Sequence, residues 1–362
     1  DTAMEVLLSA SSYLSSLRLT NCPKLTDLTV NVLHDSLTTW GKRRNVHTKE
    51  LKILEIRDND NITSQALLMI SNSALSLVSL DVRECCNINL NEGLEYLSYL
   101  TNLEHLKIGP STRTHRIRSV AATMGHLKTL TPKLLTFHMS GFPEFSDEDI
   151  GELLDTALLL EELSMKNMKY GTNAVEAMCS NIPNLVRLII HGSSILTDLD
   201  FRCITTVCLH LEEITVQKTP LLTDGAFSRC AILRRLKLMD ITDCSPLLRG
   251  SLFGCFGLCP LEKVVLDRLG FLRPSRDFKM LTPRTASKIS YLSMRDCKTV
   301  NKEDIESVLS MFLNCLEVDI TNCPLLAKQS TLLSINNTHP FLNLVCDGAA
   351  MNKSQTLNAL IV

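Results

Sequence analysis

The chain has few aromatic residues and no long apolar run. Phe, Trp and Tyr make up 5% of its 362 residues, with a single Trp, although 45% of the residues are hydrophobic. No stretch approaches the roughly 18 consecutive apolar residues that a membrane-spanning helix needs, and no secretory signal segment is recognisable. We therefore expect an interior built from aliphatic side chains, and no membrane span.

The chain also lacks a large net charge of either sign. The chain holds 37 Lys and Arg against 39 Asp and Glu, a formal net charge of −2. A nucleic-acid binder relies on neutralising phosphates with positive charge. The basic segments 42–47, 113–118 and 268–288 lie apart and lack interleaved aromatic residues for base stacking. We interpret them as solvated loops and expect no nucleic-acid partner.

Motifs for catalysis and metal binding are absent as well. The chain has no Gly-x-Ser-x-Gly elbow, no phosphate-binding loop and no His-Glu-x-x-His helix. The closest cysteine spacings are Cys203 with Cys208, Cys255 with Cys259, and the neighbours Cys85 and Cys86. None has the second Cys or His pair that a zinc site requires. The sequence therefore predicts a non-catalytic protein with no cofactor and no metal.

The sequence does contain one motif that recurs about thirteen times: Leu-x-x-Leu-x-Leu-x-x-Cys/Asn-x-x-Leu-Thr-Asp. Six of the twelve intervals between its central apolar residues are 26 residues long. A repeat of this period predicts a solenoid, since each unit can bury its apolar face only against its neighbours. The central residues are predicted at Leu17, Leu54, Leu80, Leu106, Phe137, Leu163, Leu188, Ile214, Leu236, Val264, Leu292, Val318 and Leu344.

Each repeat contains signals for one strand and one helix. The Leu-x-Leu core alternates with a period of two, which predicts a strand in a parallel sheet. The Thr-Asp pairs, such as Thr26-Asp27, Thr197-Asp198 and Thr223-Asp224, predict helix starts, because the hydroxyl accepts the first amide protons and the acid suits the positive helix end. We thus expect an α/β horseshoe with a concave parallel sheet and convex helices.

A small polar residue or cysteine follows each predicted strand. This position holds Cys22, Asn59, Cys85, Ser111, Ser193, Thr219, Cys297 and Cys323, whereas Phe142, Met168, Ile241 and Leu269 interrupt the series. Side chains of this kind can satisfy the backbone groups of a buried turn. Because these cysteines recur one full repeat apart, we interpret most of the 14 cysteines as reduced, buried residues. That composition favours the cytoplasm or the nucleus.

Three segments lengthen the repeat: 38–50, 109–133 and 267–288. Insertions of this kind usually form loops. We expect the array to cover residues 1–347 and residues 348–362 to form a C-terminal cap or tail. Residues 1–13 resemble the helix of a preceding repeat, so the chain is expected to begin inside a longer array.

The residues Cys22-Pro-Lys-Leu-Thr-Asp, Cys297-Lys-Thr-Val and Cys323-Pro-Leu-Leu resemble the cysteine-containing subclass of leucine-rich repeats. Over nearly its whole length the chain resembles the repeat region of F-box/leucine-rich-repeat proteins, and also the antagonists of the mitotic exit network. The F-box resemblance implies recruitment of a protein substrate to an SCF-type (Skp1-cullin-F-box) ubiquitin ligase for ubiquitin-dependent degradation. The F-box that would bind a Skp1-type adaptor is not recognisable in this chain.

The candidate partner-binding residues lie between and just after the core leucines, where side chains face the concave side. They are Arg18, Arg57, Arg83, Lys107, His138, Lys166, His191 and Arg295, and Lys237 is predicted in the same column as Lys107. Because strands stack about 4.8 Å apart, Arg57, Arg83 and Lys107 are expected to form a basic cluster for an acidic or phosphorylated peptide. The alternative is a mixed-charge face in which Glu55 and Asp81 pair with these arginines locally.

Three functions remain open at this point. The first is substrate recognition for a ubiquitin ligase, and the second is a repeat scaffold or regulator without ligase attachment. The third is an extracellular recognition domain, for which the sequons at Asn61, Asn336 and Asn352 are the only sign.

Overall fold

The computed structural model describes residues 2–10, 14–43, 51–85, 87–109, 119–244, 248–326, 335, 342–346 and 349–350. It divides into two compact units. The first comprises Asp1–Lys169 and Glu176–Ile182, and the second comprises Tyr170–Val175 and Pro183–Val362. Ser111, Asp347, Cys86, the sequons at Asn336 and Asn352, and nearly all of the predicted tail lie outside the described residues.

The first unit contains a parallel sheet whose strands follow chain order. Its central residues, Leu17, Leu54, Leu80, Leu106, Phe137 and Leu163, are paired in register, as the repeat predicted. All six are at most 5% exposed. The strands are β1 (Ser16–Arg18), β2 (Ile53–Glu55), β3 (Ser79–Asp81), β4 (His105–Ile108), β5 (Thr136–Ser140) and β6 (Glu162–Lys166).

Helices separate these strands, and their starts follow the predicted capping signals. Ser146 accepts from the amide of Asp149 while the Asp149 carboxylate accepts from the Ser146 amide, so both orphan donors are satisfied. Thr63 and Asn89 cap two further helices. The helices are α1 (Thr2–Ala10), α2 (Asp27–Arg43), α3 (Ser64–Ser73), α4 (Leu90–Leu97), α5 (Val120–Leu130) and α6 (Asp147–Leu154), and the 3₁₀ turn η1 is Thr131–Lys133. Helix α7 (Thr172–Asn181) is divided between the two units.

The second unit repeats this arrangement. Strands β7 to β13 are parallel and in chain order, and β14 pairs antiparallel with β13. They are β7 (Arg187–His191), β8 (Glu213–Gln217), β9 (Leu238–Thr242), β10 (Lys263–Val265), β11 (Tyr291–Ser293), β12 (Glu317–Asp319), β13 (Asn343–Cys346) and β14 (Ala349–Ala350). The predicted α/β repeat architecture is confirmed, with thirteen parallel strands among the described residues.

One predicted register is wrong. The central residue of β9 is Met239, which pairs with Ile214 and Val264, and not Leu236. Met239 is 1% exposed, and Leu236 is buried before the strand begins. Leu236-Lys237-Leu238 matches the Leu-x-Leu pattern of a strand core. The centre of the strand lies three residues further along the chain, however, and its core residues are Met239 and Ile241. Lys237 therefore does not share a column with Lys107, and its ammonium pairs with Glu212 at 2.7 Å.

The helical segments of the second unit are less regular than predicted. Helix α8 (Asp198–Val207) and α11 (Lys302–Met311) are full α-helices, but η2 (Asp224–Ile232) and η3 (Gly250–Phe256) are 3₁₀ segments. Gly225, Gly250 and Gly254 lower helix propensity there. Pro274 and Pro283 open the short α9 (Pro274–Asp277) and α10 (Pro283–Ala286), between which η4 (Phe278–Met280) lies, and η5 (Pro324–Leu326) comes last.

Each described turn after a strand contains one residue in the left-handed region. It always lies four positions after the central residue, with φ between 51° and 75°. Gly, Asn and Asp occupy most of these positions, as their tolerance of positive φ predicts. The exceptions are Glu84, Lys218 and Arg268.

The next residue is the predicted polar position, and where it is Asn59 or one of four cysteines its side chain bonds the preceding repeat. Asn59 donates to the carbonyls of Leu19 (2.5 Å) and Arg57 (2.9 Å) and accepts from the amide of Cys22 (2.8 Å). The thiols of Cys85, Cys244, Cys297 and Cys323 donate to the equivalent carbonyl one repeat earlier, at 2.7–3.2 Å. Because β9 is shifted, the residue at this position is Cys244 and not Ile241.

The aspartates of the Thr-Asp pairs interact favourably with the helix dipole, and they also accept hydrogen bonds from the next repeat. Asp27 accepts from the amide (2.8 Å) and the hydroxyl (2.5 Å) of Thr63, the cap of the next helix. Asp198 makes the same two bonds to Thr223. These carboxylates therefore join consecutive repeats on the helix side of each unit. Within the described residues, no helix is both long enough and apolar enough to cross a membrane.

Candidate partner-binding surface

The side chains that alternate with the buried strand residues form the strand face, the surface considered for partner binding. In the first unit, strand register aligns them in columns. The middle column contains Arg18, Glu55, Asp81, Lys107, His138 and Ser164. The column beside it, two residues further along each strand, contains Thr20, Arg57, Arg83, Gly109, Ser140 and Lys166.

At the first two strands, the arginines are held by an acid. Glu55 lies 3.5 Å from Nε of Arg18 and 3.3 Å from Nε of Arg57, and it accepts from the hydroxyl of Thr20 at 3.2 Å. Arg18 and Arg57 are both exposed. Their charges are thus shared with one carboxylate on the face itself.

Arg83 is bound more firmly. Its Nε and Nη2 donate to the two carboxylate oxygens of Asp81 at 2.9 and 2.6 Å, a bidentate arrangement. The hydrogen bond to Asp81 raises the pKa of Arg83. Glu55 and Asp81 therefore pair with Arg57 and Arg83 locally, as the alternative interpretation held. The basic cluster predicted from Arg57, Arg83 and Lys107 is not a group of three unpaired cations.

The unpaired cations of this unit lie further along the sheet. Lys107 on β4 and Lys166 on β6 are half-buried, and neither ammonium has a hydrogen-bond or ion-pair partner in the described part of the chain. Burial lowers the pKa of Lys166, and the charges of Arg83 and Lys107 lower it further. The three cations thus act on one another electrostatically.

His138 lies between them on β5. Its Nε2 is 2.6 Å from Oε1 of Glu162, and its ring is nearly buried. Burial lowers the pKa of His138, in opposition to the Glu162 hydrogen bond, and the charges of Lys107 and Arg83 lower it further. Since Glu162 accepts, Nε2 carries the proton and Nδ1 of the neutral ring is an acceptor.

Two polar side-chain atoms on neighbouring strands of this surface are buried without a partner. His138 pairs in register with Ser164 on β6. Nδ1 of His138 and Oγ of Ser164 have no hydrogen-bond partner among the described residues, although the two residues are 7% and 1% exposed. A buried polar atom without a partner is costly and calls for an explanation.

In the second unit, the strand face is acidic. His191 ends β7, half-buried, and its main-chain amide donates a hydrogen bond to the Tyr170 hydroxyl. Asp267 is 2% exposed and accepts from the Ser293 hydroxyl (2.6 Å) and from the amide and Nε of Arg295 (2.9 and 2.8 Å). The side chain of Arg295 is thus committed to a buried carboxylate.

Asp240 and Asp319 belong to the same acidic surface. Asp240 accepts from Gln217 and Thr242, both at 2.6 Å, and burial raises its pKa. Asp319 lies 3.8 Å from Nε of Arg295.

Three residues of the two strand faces were not among the predicted candidates: Ser164, Asp240 and Asp319. Each occupies the position directly after a central residue, so a full listing of that column in the correct register finds them. On the strand face of the first unit, strand register brings together Arg83, Lys107, His138 and Lys166. On the strand face of the second unit, Arg295 lies beside the carboxylates of Asp267 and Asp319. Among the described residues, no group of three or more His, Cys, Asp or Glu side chains is arranged to hold a metal ion.

No protein-family model matches the chain. Among solved structures, it is similar to a chain in the complex of Rad7 and Elc1 from yeast, with 16% identity and a TM-score of 0.60, over 92% of this chain and 85% of that one. It is also similar to an internalin from Listeria monocytogenes, with 14% identity and a TM-score of 0.51, over 88% and 93% of the two chains. Together with the repeat geometry, these similarities show an α/β leucine-rich-repeat solenoid.

Proposed function

We propose that the protein is a non-catalytic recognition module that binds a partner protein through its strand face. The observation that carries this proposal is the contrast between the two sides of each strand. One side is a continuous aliphatic core, and the other presents ordered charged and polar side chains at successive repeats. A rigid surface of this kind suits recognition of another macromolecule.

We further propose that the recognised partner is a substrate delivered to an SCF-type ubiquitin ligase. The resemblance to F-box/leucine-rich-repeat proteins supports this role, and a chain of similar fold occurs in a complex of two proteins, Rad7 and Elc1. In this role the ligase attachment would come from a Skp1-type adaptor, and the cytoplasm or nucleus would be the compartment.

The test is affinity purification of the natural full-length protein from its own cells, followed by quantitative mass spectrometry. One bait is wild type, and a second carries Lys107→Glu with Lys166→Glu on the strand face. A third carries Lys128→Glu with Lys133→Glu on the helix side as a control matched in charge. Thermal unfolding of all three checks that the variants fold.

We expect a cullin adaptor to co-purify with all three baits. A substrate protein should be lost only with the strand-face variant. Recovery of a partner without any adaptor would contradict the ligase role and favour a repeat scaffold or regulator. A partner lost only with the helix-side variant would contradict recognition by the strand face.

A further inference from the structure

We propose that Lys107, His138, Ser164 and Lys166 form an anion site that receives an acidic side chain, a carboxylate or a phosphate, from the partner protein. This inference rests on the proposed function and specifies its chemistry. It differs from the cluster expected from the sequence, because Arg57 and Arg83 are already paired with acids.

Two buried side chains of this group have hydrogen-bonding capacity that is not satisfied. Ser164 is 1% exposed, yet its hydroxyl has no partner among the described residues. Nδ1 of His138, on the adjacent strand, is also buried and has no hydrogen-bond partner among the described residues. Both side chains belong to the middle column, whose side chains alternate with the core residues. A ligand atom on the strand face would satisfy them and remove the cost.

Two lysines bring positive charge to this part of the surface. Lys107 lies one strand from His138, and Lys166 lies two residues from Ser164 on the same strand, with strands about 4.8 Å apart. Two of the nearby acids are engaged, since Asp81 holds Arg83 and Glu162 holds His138. The negative charge of Glu84 raises the pKa of Lys166, against the larger effects of burial and of Arg83. The two free ammonium groups supply the attraction for an anion.

The column beside these side chains contains small residues. Gly109 lies in that column between Arg83 and Ser140, and a Cβ there would come within 2.8 Å of Cβ of Ser140. Only Gly109 and Ser140 occupy the column between Arg83 and Lys166. Between those two cations, the column therefore places no long side chain beside His138.

Anion binding at this site should take up a proton. In the unbound protein Nδ1 of His138 is an acceptor, which an oxyanion cannot use. Protonation turns Nδ1 into a donor to the anion while Nε2 continues to donate to Glu162. The charged groups around this ring are Glu162 on β6, Lys107 on β4 and Arg83 after β3, and His105, on β4, is bonded to Thr136. An added anion shifts this balance toward the imidazolium, so affinity should rise as pH falls.

The experiment uses three pools of peptides with random flanking residues and a central phosphoserine, glutamate or serine, each carrying a rhodamine label whose charge does not change in the pH range measured. Fluorescence polarisation gives the dissociation constant of each pool for the whole chain from about pH 8 down to about pH 6, the range in which a histidine titrates. The glutamate pool keeps its central charge across this range, so its pH dependence reports the protein.

We expect an anionic pool to bind about tenfold more tightly than the serine pool, as a charge-assisted hydrogen bond suggests. The pool that binds best tells a carboxylate from a phosphate ligand. Lys107→Ala with Lys166→Ala should abolish this preference, Ser164→Ala should weaken it several-fold, and His138→Asn should remove its pH dependence. The matched control, Lys128→Ala with Lys133→Ala, should retain both.

Equal binding of the three pools would overturn the anion site. So would a preference that survives in the Lys107 and Lys166 variant, or is lost equally in the control. None of these results bears on whether the strand face binds a partner by other contacts, which the purification experiment decides. A partner captured through the strand face, together with equal binding of the three pools, would therefore reject the anion site alone.

Discussion

At the scale of single residues, the positions that stand out in the sequence are structural. Asn59 and the recurrent cysteines bond the carbonyls of the preceding repeat, and the threonines cap helices. These roles could be predicted from residue type and spacing. The pairing of Arg83 with Asp81 could be given only as one of two alternatives, because it depends on which rotamer the side chains adopt.

Lys218 tests the left-handed turn position. Its φ is 51°, a conformation that a residue with a Cβ adopts at a cost. Lys218→Gly should therefore raise the free energy of unfolding by about 0.5–1 kcal/mol despite the added freedom of the unfolded chain. Urea denaturation measures this, with Lys218→Ala as the control that keeps the strain. A loss of stability with Gly would contradict the assigned conformation.

Cysteine reactivity tests the structural role of the buried thiols. Burial raises the pKa of Cys297 to about 12, and that of Cys208 and Cys259 to about 12 as well. Their thiolate fraction at about pH 8 is negligible. Cys203 is exposed, so maleimide should label it first in the native protein, as read by peptide mapping. Labelling of Cys297 at the rate of Cys203 without denaturant would contradict its burial.

At the scale of elements, the strands follow the period closely and the helical segments do not. The central residues could be predicted from spacing except in β9, where Leu236 and Leu238 imitate the core pattern. Cys244 marks the correct register, because it stands five residues after Met239, as Cys297 stands after Leu292. The 3₁₀ segments η2 and η3 were not predicted, since tertiary packing decides the helix type once glycines weaken local propensity.

The link between consecutive repeats is tested at Asp198. Its carboxylate accepts from the amide and hydroxyl of Thr223, so Asp198→Ala leaves both donors without their partner. We expect a loss of about 1–3 kcal/mol in the free energy of unfolding. Glu148→Ala is the matched control, because Glu148 is an exposed acid in the first turn of α6. If urea denaturation shows an equal effect of the two substitutions, the hydrogen bonds from Thr223 do not stabilise the protein, and Asp198 acts only through its favourable interaction with the helix dipole.

At the scale of the whole molecule, the repeat decides the fold, and function depends on the residues between the leucines. The sequence places most strand-face columns correctly, which is why Lys107, His138 and Lys166 were candidates before the structure. It does not show which of the cations are already neutralised. Two units with opposite surface character emerge only with the contacts, since the first keeps unpaired lysines and the second carries Asp240, Asp267 and Asp319.

The central claim is that the strand face is the recognition surface, and lysine footprinting tests it most directly. The chain would be acetylated under limiting reagent, alone and with the partner that co-purifies, and each lysine read by mass spectrometry. Lys107 and Lys166 should be protected several-fold in the complex, while the exposed helix-side lysines Lys133 and Lys279 keep their reactivity. Protection of Lys133 or Lys279 with no change at Lys107 and Lys166 would contradict the claim.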